Sequence, residues 1–339
     1  MALESFRRIQ IAKETTRGTS VAATKKLIGN LTMSPEITWY RPGDERNSLA
    51  EYRRAVITSQ MAKLKYEGSA TYEQLIYFLA MGLRGDGSAA WSNPATPGGG
   101  VNSRTWTFTP LLTARNQQNA YTFEYGDNTQ EFESAFCMLE NLELDVVLNE
   151  AVMMKADLFA EFPAKSTFTA SLTDPTVNEV VANKLNFYID TTYALASGAT
   201  PTEKATLLAG ATMKFPTGLV PVKYADGSLE AVSAFMEQKR HFEVDLDYAM
   251  STNAITEYDA AVAAGGTSRG MSFRFTGPII EGALNYYLYV HMFGKYTNVP
   301  EIFGARDGEN LLSMTFATHE DSSGNEASVV VQNIETALT

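Results

Sequence analysis

Three carboxylates stand two residues apart at Glu243, Asp245 and Asp247, and a similar pair stands at Glu143 and Asp145. Carboxylates gathered on one face could hold a hard cation such as Ca²⁺, which takes about six to eight oxygen ligands. On a strand, however, residues two apart project side by side over ~7 Å, and no second cluster supplies the remaining ligands. The spacing implies a solvated acidic face. Phe242, Val244, Leu246 and Tyr248 alternate with the triad and must be buried, and Leu142, Leu144, Val146 and Leu148 alternate with Glu143 and Asp145 in the same way.

Other reactive groups do not converge. His241, His291 and His319 are far apart and share no motif, and Gly98-Gly99-Gly100 lacks the lysine and helix that make a phosphate loop. The single cysteine, Cys137, lies between Phe136 and Met138 and reads as a small buried hydrophobe. A carbohydrate-binding or hydrolytic protein needs paired carboxylates amid exposed tryptophans, whereas Trp39, Trp91 and Trp106 are scattered. The expectation is a protein that is no enzyme and takes no cofactor or metal.

Composition points the same way. Charged residues are 19% of the 339, while Tyr (16) and Phe (18) are plentiful, a mixture suited to half-buried pleated surfaces. No apolar h-region follows the start and no run reaches the ~18 apolar residues of a span; the best candidate, 277–294, is broken by Glu281, Asn285 and His291. Assembly in a reducing cytoplasm, away from membranes, is expected. Net charge is divided: residues 1–65 hold 12 Lys+Arg and 6 Asp+Glu, so they carry +6, which leaves −18 of the total −12 for the rest. A basic head on an acidic body suits head-to-tail docking of copies.

Runs bounded by Gly, Pro and Asn predict strands at 64–67, 105–109, 121–125, 142–148, 152–159, 185–189, 242–248, 271–276, 286–292, 311–317 and 329–334. Helices are expected at 71–83 and 252–264, from apolar residues at three- to four-residue spacing. A third is expected at 201–209, where Thr200, Pro201, Glu203 and Gly210 match cap signals. The halves also resemble each other. Ala62–Tyr66 and its helix match Phe242–Tyr248 and its helix, Trp106–Pro110 matches Phe273–Pro278, Tyr121–Tyr125 matches Tyr286–Val290, and Glu140-Asn141-Leu142 matches Glu309-Asn310-Leu311. The segment 85–103 reads as a loop inserted in the first half only.

The N-terminal segment Ile9-Gln10-Ile11-Ala12-Lys13-Glu14-Thr15-Thr16-Arg17-Gly18-Thr19-Ser20-Val21-Ala22-Ala23-Thr24-Lys25-Lys26-Leu27 resembles the opening of tail tube (major tail) proteins of long-tailed, siphovirus-type bacteriophages. There a K-E-x-x-x-G-x-x-V-A-A-T phrase precedes the first strand, and Ser34-Pro35-Glu36 and the charged stretch 41–54 fit the same pattern; the resemblance covers about the first 85 residues. It implies a mainly β fold of tail-tube-type β-sandwich domains, each with a flanking helix. With the repeat, two tandem domains are expected: an extended arm at 1–33, a first tube domain at 34–165, a linker at 166–183 and a second tube domain at 184–339.

The family implies rings whose inner strands form a continuous barrel, stacked into a virion tail tube that conducts double-stranded DNA without specific binding. Expected partners are further copies of the chain, the tape measure protein, the tail terminator and distal tail or baseplate proteins. A duplicated chain implies a trimeric ring, an unduplicated one a hexamer. Carboxylates repel phosphate, so Glu143, Asp145, Glu243, Asp245 and Asp247 are expected to face the lumen, with Lys63 and Lys65 paired or facing a neighbour. Arg7, Arg8, Lys13, Arg17, Lys25 and Lys26 of the arm, and Arg41, Arg46, Arg53 and Arg54 of the loop, are expected to contact the next ring, the arm ordering only on contact. The alternative is another β-rich phage structural protein, of the capsid surface or baseplate.

Overall fold

Alternation of apolar and polar residues decides most of the architecture, because a strand presents successive side chains to opposite faces. In the computed structural model, which describes residues 6–44, 47, 49–85, 100–127, 129–298, 304–306 and 309–339, the chain is mainly β. The strands of its first half are β1 (Arg8–Lys13), β2 (Lys25–Leu27), β3 (Asn30–Tyr40), β4 (Val56–Ser69), β5 (Arg104–Phe108), β6 (Tyr121–Gly126), β7 (Glu131–Val147), β8 (Met153–Ala160) and β9 (Ala164–Ser166). Helix α1 (Leu75–Gly82) follows β4. The second half adds β10 (Leu185–Asp190), α2 (Tyr193–Ser197), β11 (Leu208–Pro216), β12 (Leu219–Val222), β13 (Ala234–Glu237), β14 (Glu243–Ala249), α3 (Thr252–Val262), β15 (Arg269–Glu281), β16 (Leu284–Tyr296), β17 (Gly304–Arg306), β18 (Glu309–Thr318) and β19 (Ala327–Asn333). Most of the expected inserted loop, with Trp91, and Arg46 of the charged stretch lie outside the described residues.

A central antiparallel sheet runs β3-β4-β8-β7-β11-β14-β18. The long strands β7 and β16 leave it and continue into flanking sheets, where the first half of β7 pairs with β6 and β9, and β16 pairs with β15 and β19. One apolar core joins the inner face of the central sheet to both flanks and to α1.

The same set of antiparallel pairings occurs twice. β1–β6, β3–β4, β4–β8, β6–β7, β7–β8 and β7–β9 recur as β10–β15, β11–β14, β14–β18, β15–β16, β16–β18 and β16–β19. The helices take matching places. Thr71 Oγ1 accepts from Gln74 N–H one turn ahead of α1, and Ser251 Oγ accepts from Ala254 N–H at the start of α3. These caps stand 180 positions apart (251 − 71), as do Asn30, paired with Glu67, and Gly210, paired with Asp247. Thr32-Met33 and Thr212-Met213 are then the same dipeptide at corresponding sites.

This correspondence differs from the one the sequence suggested. By pairing, β6 matches β15 rather than β16, and β7 matches β16 rather than β18. Lys63 and Lys65 match Glu243 and Asp245, two residues away from the register that equates Tyr66 with Tyr248. Alternation repeats every two residues, so it cannot distinguish registers that differ by two.

Two further expectations are corrected. The N-terminal segment is not an extended arm: Ile9, Ile11 and Ala12 of β1 are buried, and β1 pairs along its whole length with β6. Apolar residues on both faces let it fill a strand position inside its own chain. Residues 201–209 form no helix either. Ile189 N–H donates to Thr202 O (3.1 Å) and Lys204 N–H to Phe187 O (2.8 Å), so the segment runs beside β10, and Thr202 N–H is taken by the Asp190 carboxylate (3.0 Å).

Candidate functional site

The five predicted acidic residues come together on one face of the central sheet. Direct partners in an antiparallel pair share a face, so the registers place Glu143, Lys214 and Glu243 in one row. Asp145, Thr212, Asp245 and Thr315 form the next, and Gly210, Asp247 and Ser313 the third. β11, which the sequence reading missed, is the strand that unites the two acidic groups.

Each carboxylate is held. Asp245 accepts from Lys214 Nζ (2.5 Å) and Thr315 Oγ1 (2.8 Å), Asp145 from Thr212 (3.0 Å), Asp247 from Ser313 (2.6 Å) and Glu143 from Lys155 (3.1 Å), while Glu243 meets His241 Nε2 at 2.9 Å. Burial alone would raise the Asp245 pKa, but the Lys214 ammonium and the Thr315 hydroxyl outweigh it and hold the group below its usual value. Lys214 is pushed up in turn, chiefly by its hydrogen bond to Asp245.

Towards β4 the face carries more lysine. Lys63 pairs with Glu140 (2.6 Å), Lys65 with Asp157 (4.0 Å) and Lys155 with Glu143 (3.1 Å). Lys63, Lys65, Lys155 and Lys214 thus meet eight carboxylates: Glu67, Glu140, Glu143, Asp145, Asp157, Glu243, Asp245 and Asp247. The surplus is negative, and it lies on β7 and β14, which carry three of these carboxylates each and none of these lysines. Lys63, Lys65, Lys155 and Lys214 each have a carboxylate partner, while Lys295, in the row of Ala317 and Glu243, donates to Gly265 O. Among the described residues no cluster of three His, Cys, Asp or Glu is arranged to hold a metal. His291 is buried in β16, where desolvation pushes its pKa down to about 4.

The basic residues of the N-terminal segment mostly turn inward to their own chain. Arg8 lies 4.2 Å from the centre of the Phe168 ring, Arg17 donates to Gln118 O (2.8 Å), Lys25 pairs with Glu335 (2.9 Å) and Lys26 with Asp174 (2.8 Å). The Lys13-Glu14…Gly18 phrase proves to be a structural loop. Buried Glu14 accepts from Gly18 N–H, Phe136 N–H and Thr122 Oγ1, and Gly18 sits at φ +76 against Phe136 and Glu161, where a side chain would collide. Arg41, Arg53 and Arg54 lie at the end of the β3–β4 hairpin, with Arg54 3.4 Å from Asp44.

That hairpin projects from the sheet. β4 pairs with β8 only as far as Ala62, and beyond it β3 and β4 pair chiefly with each other, leaving Trp39 46%, Tyr40 58% and Val56 55% exposed. The corresponding connection between β11 and β14 is folded down instead. Its residues Leu219 and Val232 are buried against Ala120, Phe136, Met138 and Phe159, Glu237 accepts from Asn116 and Gln118, and Thr217 meets the last residue of α1, Gly82.

No family model matches the chain, and a search of curated proteins finds no match. Among the described residues the surfaces that bear on function are an acidic sheet face and a projecting hairpin.

Proposed function

We propose that the chain is a structural protein that polymerises into rings, and that the rings stack into the tail tube of a long-tailed bacteriophage, a conduit for double-stranded DNA. The observation that carries this reading is the β7–β11 joint. It fuses the two pairing sets into a single sheet, with Gly210 to Pro216 running antiparallel to Asn141 to Val147. In the first set, β3 corresponds to β11, and among the described residues its outer edge has no strand partner. In the second set, the end of β16 and β17 corresponds to the part of β7 that receives β11.

A second copy can repeat the joint by placing its β3 against that line. Since each chain carries two pairing sets, three chains supply the six quasi-equivalent joints of a ring with six-fold appearance. Closure also answers the edge problem, because an unpaired strand edge is otherwise a template for uncontrolled aggregation. The acidic face would then line the channel, and duplex DNA, whose binding depends on released counterions at Lys and Arg contacts, would slide past carboxylates and neutralised lysines. Assembly takes place in the host cytoplasm, and the tape measure protein, tail terminator and distal tail or baseplate proteins meet the tube.

Negative-stain microscopy of the purified protein tests the reading. Stacked rings with six-fold outlines, a mass of three chains per ring and no retention of duplex DNA at low salt are expected. Single copies bound on a capsid or baseplate surface, with no rings at any concentration, would overturn it.

A further inference from the structure

Among the described residues, two surfaces lack what covers their counterparts. Within the chain, the β11–β14 connection leaves its own pairing set and lies on the other, over Met138, Phe159 and the end of α1. The β3–β4 connection, its counterpart, ends in exposed Ile37, Trp39, Tyr40 and Val56. The matching seat on the second set is open too. Met138 pairs with Phe159 as Lys295 pairs with Ala317, and Phe159 faces Lys63 as Ala317 faces Glu243. Lys295 and Ala317 therefore occupy the seat positions, and both are partly exposed. Val262 ends α3 where Gly82 ends α1, and it is 45% exposed.

We propose that the β3–β4 hairpin of one copy clasps the second pairing set of another copy, seating Trp39 against Val262, Lys295 and Ala317. The occupant is a second copy because, among the described residues, one clasp and one seat stand uncovered, and the covered pair inside the chain is the template. A contact between two different surfaces of identical chains is heterologous, so it propagates from copy to copy and ends only by closing a ring. The chemistry suits the residues. Lys295 Nζ donates to Gly265 O (2.8 Å), which draws its methylene chain past the exit of α3, and an indole beside that chain gains both apolar burial and a cation–π contact. The bulge between Thr38 and Trp39 supplies the bend that brings the hairpin end down. This inference rests on the self-assembly reading and places the hairpin between neighbours within one ring, not between stacked rings.

The test uses the full-length chain with Trp39→Asp or Val262→Asp. Both side chains are about half exposed, so each variant should keep the wild-type circular dichroism spectrum and melting temperature. In sedimentation velocity each variant alone should remain a monomer at concentrations where the wild type assembles. An equimolar mixture of the two should form a one-to-one dimer, because W39D keeps an intact seat and V262D an intact clasp. Wild-type-like rings from W39D, rings from W39D that merely fail to stack, or a mixture that stays monomeric would each overturn the clasp while leaving the tube reading standing. Open filaments from the wild type that both variants abolish would support the clasp and defeat the closed ring. A wild type that is monomeric at every concentration defeats both.

Discussion

The two pairing sets of this chain share a scheme of hydrogen bonds and differ in what lies over it. In the first set, α1 is buried on all sides; in the second, α3 buries only Ala254, Glu257 and Ala260 and leaves Ile255 and Val262 open. On the polar face the contrast is one of charge, since Lys63 and Lys65 stand where the second set has Glu243 and Asp245. A backbone scheme can thus be used twice while each copy's cover and charge are rewritten. The helix of one copy lies wholly inside the chain and that of the other keeps one side outward.

The largest expected effect tests the difference in cover. Phe78→Ala in α1 removes a fully buried ring whose centroid lies 4.8 Å from that of Tyr66, and should cost ~3–5 kcal/mol in urea unfolding. Ile255→Ala in α3, at 41% exposure, should cost under about 0.5 kcal/mol. Similar losses at both sites would break the comparison.

A smaller contrast concerns the residues that follow the first strand of each set. Glu14→Ala orphans Gly18 N–H and Phe136 N–H and should cost roughly 2–3 kcal/mol, since a buried donor left without a partner forfeits its desolvation. Shortly after β10, Thr192 merely caps α2 by accepting from Leu195 N–H (3.2 Å), so Thr192→Ala should cost about 1 kcal/mol. Chemical denaturation of the two variants orders them.

The smallest effect is a slope with pH. Burial, aided by the nearby carboxylates of Glu230 and Glu14, pushes the Glu161 pKa up from 4.5 to about 7. A carboxyl raised on folding favours the native state while it is protonated. Its contribution is therefore complete below pH 4.5 and is lost as the pH rises through 7. Melting temperatures of the wild type and Glu161→Gln should diverge across that window, with the variant flatter. Parallel curves would show that Glu161 ionises without strain.

Much of this fold was legible in the sequence because strict alternation, as in Phe242–Tyr248 and Leu142–Leu148, leaves a strand no other way to bury its apolar side. The acidic face was legible for the same reason. The helix expected at 201–209 was not, because Thr200, Pro201, Glu203 and Gly210 imitate caps while Thr202 and Lys204 hydrogen-bond alongside β10. That false helix hid β11, although Ala211, Met213 and Phe215 alternate with Thr212 and Lys214. Neither the family resemblance of the N-terminal phrase nor its charges state its physical demand, which comes from Glu14, whose donors lie as far away as Thr122 and Phe136. The folded-down connection at 217–240 was equally hidden, since no local pattern states which distant surface Leu219 will meet.

The β7–β11 joint has one more consequence, for how growth depends on concentration. Two segments on one chain meet at an effective concentration on the order of millimolar, whatever the dilution of the protein. In an assembly that repeats this joint between copies, as proposed above, half of the sheet-to-sheet contacts would be completed during folding, as a first-order step. Only the remaining half wait for collisions, so nucleation would follow a lower power of protein concentration than it would for separate single-set chains.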